Sequence, residues 1–271
     1  MYSRDIVEET FRLKALGLTD RAIAEQCGVS VQALRHWRYG TRRSPQTEAD
    51  RTAYCPVCGT GALDPTAYVY LLGLYLGDGY IGRIRNGVDY LSIACCDTWP
   101  GLIEECTQAI PKVFPVSVFQ VRRKGCTEVK GTSKHWRCIF PQNGKGMKHS
   151  RPIILEPWQQ EAVDEHPERF IRGLIHSDGC RVSNRVRKKT DGGWKYYEYP
   201  RYFFSNTSQD ISNLLIHALD RLGISWRRRV EVKLPNRDAF IVSVSKRAAV
   251  ARMDEFVGPS TEERSAGPEP A

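Results

Sequence analysis

The chain has 271 residues, of which 41% are hydrophobic and 26% are charged, and its formal net charge is +9 at pH 7. A chain of this size is expected to form two or three compact units. It has no uncharged apolar stretch near the roughly 18 residues that cross a bilayer, and its first residues, MYSRDIVEE, do not resemble a signal peptide, which argues against membrane and secreted classes. The positive charge favours an acidic polymer as partner, nucleic acid before a membrane surface, although a basic surface without a partner would have the same composition.

The nine cysteines bear on the compartment of the protein. Their number is odd, and the sequence shows no secretory signal, so a reducing environment is expected rather than a disulfide framework. We therefore expect a cytoplasmic protein, associated with the nucleoid of a bacterium.

Residues 1–40 are predicted to form a helix-turn-helix DNA-binding domain. Ser3, Thr19 and Ser30 each precede a helical pattern and are good N-terminal caps. The last helix, VQALRHWRYG, would be the one that enters a major groove, although generic helical hairpins share this pattern. The predicted base or phosphate contacts on it are Gln32, Arg35, His36 and Arg38.

Residues 41–66 are predicted to be a linker, because the stretch is polar and broken by proline. It contains Cys55-Pro-Val-Cys58-Gly, a spacing that can hold one side of a tetrahedral zinc ion. A closed site needs two further ligands, and a thiol pair in a loop without metal fits the sequence equally well. The possible further ligands elsewhere in the chain are Cys95, Cys96, Cys126, His135 and Cys138.

Residues 67–259 contain an internal repeat. LLGLYLGDG at 71–79 and IRGLIHSDG at 171–179 both end in an acid followed by glycine, and Asp178 lies 100 positions after Asp78. Each copy is followed by two strands, a helix, two strands and a helix, with HWRCIF (135–140) predicted as a strand. The repeat divides this part into halves at 67–160 and 161–259. The tail, 260–271, is predicted to be disordered.

The end of each repeated helix raises a physical question. Gly79 and Gly179 are expected to stop the helices by adopting a left-handed backbone. The carboxyl end of a helix carries partial negative charge, so a carboxylate in the last turn is repelled. Asp78 and Asp178 therefore need a compensating positive charge.

The two nine-residue copies resemble the LAGLIDADG motif of single-chain homing endonucleases, and the resemblance covers about residues 67–259. It implies an α+β fold, a pseudo-symmetric duplicated αββαββα saddle, here preceded by a small all-α helix-turn-helix domain. A helix-turn-helix joined to such a core resembles an actinobacterial group of uncharacterised proteins. Two copies in one chain imply a monomer with internal pseudo-two-fold symmetry.

The resemblance also implies a site. In the family the two motif helices pack side by side, so small residues are expected at the contact: Gly73, Gly77, Gly173 and Ser177. The acids Asp78 and Asp178 would lie together at the DNA surface as catalytic residues and Mg²⁺ ligands, with two or three ions expected if the protein is active. The first acid of the motif is replaced by Leu76 and by His176, which is expected to face a gap between helices. The acid that carries the catalytic role in the family is kept in both copies.

Basic residues on the predicted strands are the expected DNA contacts, since antiparallel ribbons can lie in a major groove. Sequence alone does not separate phosphate contacts from base contacts, and a solvated basic sheet face remains an alternative for many of them. These residues are Arg83, Arg85, Arg122, Arg123, Arg185, Arg187, Lys188, Lys195, Arg227, Arg229 and Lys233.

Two functions remain open from the sequence. The first is a site-specific double-stranded DNA endonuclease that uses Mg²⁺, and the retained pair of acids favours it. The second is a transcriptional regulator that grips DNA without cutting it, and the added helix-turn-helix favours that. RNA binding, as in the splicing maturases of the family, is a third and more distant possibility.

Overall fold

The structure is a computed structural model that describes residues 2–40, 44–46, 53–84, 88–191, 193–232 and 237–258. The chain forms two compact units, one within residues up to Ala62 and one from Leu63 onward. The predicted contacts Arg85 and Lys233 and the predicted disordered tail lie outside the described residues, as does part of the predicted linker. None of the described helices is long and apolar enough to cross a membrane.

The first unit begins with the helices α1 (Arg4–Ala15), α2 (Asp20–Gln26) and α3 (Val31–Tyr39). The predicted caps are confirmed, because the side chains of Ser3, Thr19 and Ser30 each accept a hydrogen bond from a backbone N–H of the following first turn. The three helices enclose a small apolar core formed by Val7, Leu13, Ile23, Val29, Leu34 and Trp37.

The second unit begins with the first motif helix and a four-stranded sheet. Its elements in chain order are α4 (Pro65–Asp78), β1 (Gly79–Arg83), β2 (Asp89–Cys96), α5 (Pro100–Val113), β3 (Val118–Arg123), β4 (Cys126–Ser133) and the short α6 (Trp136–Ile139). Asp64 caps α4 through the N–H groups of Thr66 and Ala67. The strand order in this sheet is β1-β2-β4-β3, and all pairs are antiparallel.

The second half repeats this plan. After α7 (Pro157–Glu165) come α8 (Pro167–Asp178), β5 (Gly179–Thr190), β6 (Gly193–Asn206), α9 (Gln209–Arg221), β7 (Arg227–Glu231), β8 (Ala239–Val244) and α10 (Arg247–Val257). Its strand order, β5-β6-β8-β7, is the same as that of the first sheet. The predicted α+β class and the duplicated αββαββα order are therefore confirmed.

Two local predictions were wrong. HWRCIF contains the short helix α6, where the Trp136 indole donates to the Gly131 carbonyl oxygen at 2.9 Å and is fully buried. Gly79 and Gly179 have extended backbones, with φ of −88° and −110°, and begin strands instead of closing the helices in a left-handed turn. Glycine is needed at Gly79 for space, because a Cβ there would lie 2.7 Å from the Tyr75 carbonyl oxygen.

Helix α4 is apolar on all sides, and every residue from Ala67 to Leu76 is buried. Tyr68 and Tyr75 pack on Phe140, and the Tyr68 hydroxyl donates to the Ile139 carbonyl oxygen. A helix that is hydrophobic all round is stable only when protein surrounds it. Helix α4 is therefore the central element of the second unit.

Candidate nucleic-acid interface and acidic centre

The two motif helices contact each other through their small residues. A Cβ on Gly73 would lie 2.8 Å from the backbone nitrogen of Leu174, and one on Gly173 would lie 3.0 Å from the Gly73 Cα. A Cβ on Gly77 would overlap the Ser177 side chain, whose hydroxyl donates back to the Gly173 and Leu174 carbonyl oxygens. The backbones of α4 and α8 thus lie as close together as the sequence predicts.

This close packing brings the ends of both helices together, and with them the two acids. The carboxylate Oδ2 of Asp178 would lie 3.1 Å from a Cβ on Gly77, the residue that precedes Asp78. Burial, and then the negative charge of Asp178, raise the pKa of Asp78 to about 7. Burial also raises the pKa of Asp178, although the hydrogen bond from Asn206 lowers it. Burial, and for Asp78 also the neighbouring negative charge, therefore disfavours the charged forms of both acids.

The two acids have different neighbours. Asn206, the last residue of β6, donates from Nδ2 to Asp178 Oδ2 at 2.6 Å and leaves the other carboxylate oxygen available. At the end of α4, the Lys148 ammonium donates to the carbonyl oxygens of Tyr75 at 2.5 Å and Gly77 at 2.6 Å. Burial lowers the pKa of Lys148 to about 8, while both aspartates act to raise it. One motif helix therefore ends at an amide donor and the other at a cation.

The loop that carries Lys148 is held by Arg151. Its guanidinium donates to the Gln142 carbonyl oxygen from Nε and Nη2, at 3.2 and 2.9 Å, and to the Gly146 carbonyl oxygen from Nη1 at 2.7 Å. The Lys148 ammonium also lies 5.2 Å from the centre of the Tyr75 ring. These contacts fix the ammonium at the helix end, so it is a positioned group rather than a mobile surface cation.

His176 takes no part in the acidic centre. It is buried, its Nδ1 lies 3.0 Å from the Tyr70 hydroxyl, and its Nε2 lies 3.2 Å from the Val257 carbonyl oxygen. Burial, and then the charge of Arg172, lower the pKa of His176 to about 4. A neutral imidazole can donate to one of these partners and accept from the other, so His176 links α8 to α4 and α10, as expected for a residue between helices.

Each sheet has one face packed on helices and one face turned away from them, which we call the open face. Strand alternation and register assign each side chain to a face. In the first sheet Leu91, Ile93 and Val129 are buried on the helix face, and in the second sheet Tyr202, Phe204 and Val242 are.

The register separates the predicted DNA contacts into two groups. Arg123, Lys188, Lys195, Arg227 and Arg229 lie on the open faces. Arg83, Arg122, Arg185 and Arg187 lie on the helix-side faces, where Arg83 also bonds Asp89 at 3.0 Å. An antiparallel ribbon laid on DNA by its open face would use the first group.

The open face of the second sheet is the more basic one. Lys188 and Lys195 lie directly opposite each other in the β5–β6 register, an arrangement of like charges that destabilises an isolated ribbon. Arg201, on the same face, has a buried Nε without a hydrogen-bond partner among the described residues. In the first sheet, by contrast, Glu128 pairs with Arg123 at 3.0 Å and with Lys130 at 2.9 Å. A polyanion would relieve the repulsion on the second sheet and gain less on the first.

Beyond the core, the β5–β6 hairpin exposes aromatic side chains on both faces. On its helix-side face the guanidinium groups of Arg185 and Arg187 lie 4.2 and 4.0 Å from the ring centres of Tyr196 and Trp194. On its open face Tyr197 and Tyr199 stack with centroids 6.5 Å apart. Basic and aromatic groups together are typical of surfaces that bind nucleic acid.

In the first unit, Gln32, Arg35 and His36 are exposed on one side of α3. Arg38, also predicted as a contact, instead bonds the Asp20 carboxylate from both terminal nitrogens, at 3.3 and 2.9 Å. That hydrogen bond holds the pKa of Asp20 at about 2. Arg38 therefore ties α3 to α2, and the exposed side of α3 is formed by the other three residues.

The cysteines form no disulfide. Cys55 is buried and Cys58 is exposed, and the Gly59 N–H closes a turn on the Cys55 carbonyl oxygen at 2.9 Å. Cys95 and Cys106 lie together in the core of the second unit, where the hydrogen bond between the two thiols, which favours the protonated form of Cys106, and then burial raise the pKa of the Cys106 thiol. The zinc prediction for Cys55 and Cys58 stays a prediction.

Sequence reasoning missed Lys148, Asn206 and Arg201. Asn206 ends the strand that pairs with β5, two positions after Phe204, the partner of Gly179, and a register drawn from the DGG sequence at 191–193 could have placed it near the motif acid. Arg201 stands among aromatic residues on a predicted strand. Lys148 gave no local signal, because it reaches the site from a loop 70 positions after Asp78.

The two glycine-packed motif helices, each followed by an identically ordered antiparallel sheet, form the duplicated α+β arrangement that the LAGLIDADG resemblance implies, with an acid at the end of each helix. Neither the profiles of known protein families nor the sequences of curated proteins match this chain. Similar solved structures are found.

One similar structure is the homing endonuclease I-DmoI in complex with DNA and Mn, with a TM-score of 0.45 and 16% identity over 72% of this chain and 97% of that chain. A second is the homing endonuclease I-WcaI bound to its DNA recognition sequence, with a TM-score of 0.44 and 15% identity over 74% of this chain and 84% of that one. A third is the N-terminal LAGLIDADG domain of DUF199/WhiA, with a TM-score of 0.43 and 12% identity over 82% of this chain and 94% of that one. These are low-identity similarities, and no residue role follows from them.

Proposed function

We propose that this protein binds double-stranded DNA at a specific sequence and hydrolyses phosphodiester bonds with Mg²⁺ at the Asp78–Asp178 centre. The observation that supports this best is the pair of carboxylates at the adjoining ends of α4 and α8. Burial raises the pKa of both, and the charge of Asp178 raises that of Asp78 further, so a bound cation would favour the ionised pair. A protein that only binds DNA gains nothing from two acids that face phosphates.

The residues of the centre fit a hard divalent cation, because carboxylate oxygens are the ligands that Mg²⁺ prefers. Asp78 and Asp178 would hold it, and the ion would supply charge stabilisation for phosphodiester hydrolysis. Asn206 orients one carboxylate by its hydrogen bond to Oδ2. Lys148 places a positive charge beside the same centre, and the open faces of the sheets bind the duplex on either side of it.

The test is a selection of cut sites from a randomised double-stranded DNA library with Mg²⁺. We expect cleavage at a defined sequence by the wild type and none by Asp78→Asn or Asp178→Asn, because each substitution removes a charge that holds the cation. Asp97→Asn, a change at a carboxylate that bonds Thr127 on the first sheet, is the matched control and should cut normally. Cutting that survives in both centre variants would contradict the proposed site.

A regulator that binds DNA without cutting is the second proposed function. The exposed side of α3, with Gln32, Arg35 and His36, favours it, because a second DNA-binding helix adds affinity without adding chemistry. In the library experiment this function would give selected binding of a defined sequence with no cleaved product, and Asp78→Asn would bind as well as the wild type or better.

The three successive arginines of β7 provide a sharp test of the open face. Arg227 and Arg229 point to the open face, whereas Arg228 lies on the helix side and donates to Asn213 at 3.1 Å. We expect the Arg227→Ala/Arg229→Ala double variant to weaken DNA binding about 10- to 100-fold and to reduce the slope of log Kd against log salt by up to about 2. Arg228→Ala should change the affinity less than about threefold, since its charge does not face the duplex. Equal losses in both variants, measured by fluorescence anisotropy over a salt series, would contradict the face assignment.

We also propose that Cys55 and Cys58 supply two ligands of a structural zinc ion. The turn closed by Gly59 on Cys55 supports this, because a thiolate pair needs a tight turn to grip one ion. Metal analysis of the purified chain, with Cys55→Ser and Cys58→Ser beside the wild type, tests this proposal, and Cys138→Ser in the same series tests one of the possible further ligands.

A further inference from the structure

We propose that the Lys148 ammonium is a built-in counter-charge for the Asp78–Asp178 pair, so that this protein folds and binds DNA without a divalent cation at its centre. The DNA-binding part of this inference rests on the function proposed above. The Lys148 side chain would thereby have the electrostatic role that a metal ion would otherwise have.

The Lys148 ammonium lies at the end of α4, close to both acids. Lys148 Nζ bonds the carbonyl oxygen of Gly77, and the carboxylate of Asp178 lies against the Cα side of the same residue. Asp78 is the next residue in the chain. The cation and both acids thus lie around the same residue, Gly77, with Lys148 and Asp178 half-buried and Asp78 exposed. The charges interact without a direct ion pair, through a medium that is only partly water.

Besides the acids, the ammonium neutralises the negative end of helix α4. The last carbonyl groups of a helix carry its negative partial charge and lack partners within the helix. Lys148 donates to two such oxygens, those of Tyr75 and Gly77, and keeps one N–H for a carboxylate, a water or a phosphate. The last carbonyl groups of α4 and the carboxylates of Asp78 and Asp178 therefore share a single cation.

The Lys148 ammonium is held in place in the folded protein before any ligand binds. Arg151 closes the loop on the Gln142 and Gly146 carbonyl oxygens, and the Tyr75 ring lies beside the ammonium. Ordering a long lysine side chain costs conformational entropy, and here the side chain is already ordered in the folded protein, so ligand binding does not add this cost. Such a group acts in every state of the folded protein, whereas a metal ion acts only when bound.

The consequence for DNA binding follows from charge balance. With Lys148 the centre carries two possible negative charges and one positive charge, and a duplex can approach it without a further cation. Without Lys148 two carboxylates and two negative helix ends would face the phosphates. Binding should then depend on a divalent ion, because only that ion would offset the repulsion.

The experiment compares Lys148→Met with Lys145→Met, a variant of an exposed lysine in the same loop. DNA affinity is measured for the selected duplex, or for a mixed-sequence duplex if none is selected, in EDTA and in Ca²⁺. We expect the wild-type Kd to differ less than about threefold between the two buffers, and Lys148→Met to bind about 10- to 100-fold more weakly in EDTA but to recover in Ca²⁺. Lys145→Met should behave as the wild type in both.

A second readout needs no DNA. The melting temperature of Lys148→Met should fall in EDTA and rise again with Ca²⁺, and the double variant Lys148→Met/Asp78→Asn should regain both stability and DNA binding in EDTA. The double variant also keeps the test valid if Lys148→Met alone folds poorly. Failure of the wild type to bind any duplex would refute the DNA-binding function, while this melting series would still test the counter-charge.

Three results would overturn the inference. Lys148→Met could match Lys145→Met in both buffers, which would mean that the acids do not need the ammonium. It could lose affinity equally in EDTA and in Ca²⁺, which would make Lys148 only a phosphate contact. The wild type itself could bind DNA only in Ca²⁺, which would show that the ammonium does not replace the ion.

Discussion

Gly173→Ala is expected to lower the free energy of unfolding of the second unit by about 3–5 kcal/mol, at the upper end of single substitutions. The added Cβ would overlap the Tyr70 carbonyl oxygen and lie 3.0 Å from the Gly73 Cα, and both of these are backbone atoms that cannot rotate away. The two motif helices would have to separate. Their separation would loosen the packing along α4 and move the ends that carry Asp78 and Asp178.

The matched control for Gly173→Ala is Gly101→Ala. Gly101 also lies in a helix, α5, but a Cβ there would meet no atom within 4 Å. Alanine at an open helical position is expected to be neutral or to stabilise by up to about 1 kcal/mol. Urea unfolding followed by tryptophan fluorescence and by circular dichroism compares the two variants. Equal effects of the two substitutions would show that α4 and α8 do not contact each other through Gly173.

Asp78→Asn is expected to stabilise the metal-free protein above neutral pH by on the order of 1–2 kcal/mol, because Asp78 is exposed and solvent screens much of the effect that its raised pKa implies. The pKa of Asp78 is raised from 3.8 to about 7 in the folded state, so the folded protein holds a proton that the unfolded chain releases. Stability is therefore full below pH 4, decreases as the pH rises from about 4 to 7, and stays low above that. Asparagine removes this dependence because it does not ionise.

Melting temperatures of the wild type and Asp78→Asn in EDTA, from pH 4.5 to 8.5, measure this effect. The difference should be smallest at pH 4.5 and largest at pH 8.5, and Mg²⁺ should reduce it. Asp254→Asn is a control of opposite sign, since hydrogen bonds from Arg181 and Tyr202 lower the pKa of Asp254, so its loss should destabilise the protein at neutral pH. A parallel response of both variants to pH would contradict the raised pKa of Asp78.

Much of the fold could be predicted because helix caps are local signals and because the motif and the elements after it occur twice. The caps at Ser3, Thr19 and Ser30 act within three residues, and the two motif copies repeat the same order of elements. The close helix contact at Gly73 and Gly173 was predicted because the resemblance of the two motif copies to the LAGLIDADG motif implies it. These features depend on neighbours in the sequence or on comparison of the chain with itself.

Other features depend on groups that meet only in the folded chain. Neighbouring strand residues such as Arg122 and Arg123 lie on opposite faces, and the strand pattern alone does not say which face meets helices. HWRCIF fits the pattern of a strand. The chain forms a short helix there instead, and this helix lets Trp136 pack on Phe114 and Phe140 pack on Tyr75 of α4. Lys148 has no motif around it, and its importance comes entirely from the two carbonyl oxygens that it reaches.

The burial of the middle of α4, from Ala67 to Leu76, also affects folding during synthesis on the ribosome. The segment from Ala67 to Leu76 leaves the ribosome about 100 residues before α8, the helix that covers one of its sides. During that interval an apolar helix without a partner is exposed, at a rate of synthesis that leaves it uncovered for roughly 5–20 s. The first half therefore completes its core only when the second half has been synthesised. A truncated message that ends between the halves would yield an aggregation-prone fragment, and ribosome-associated chaperones would be expected to bind the chain at this stage.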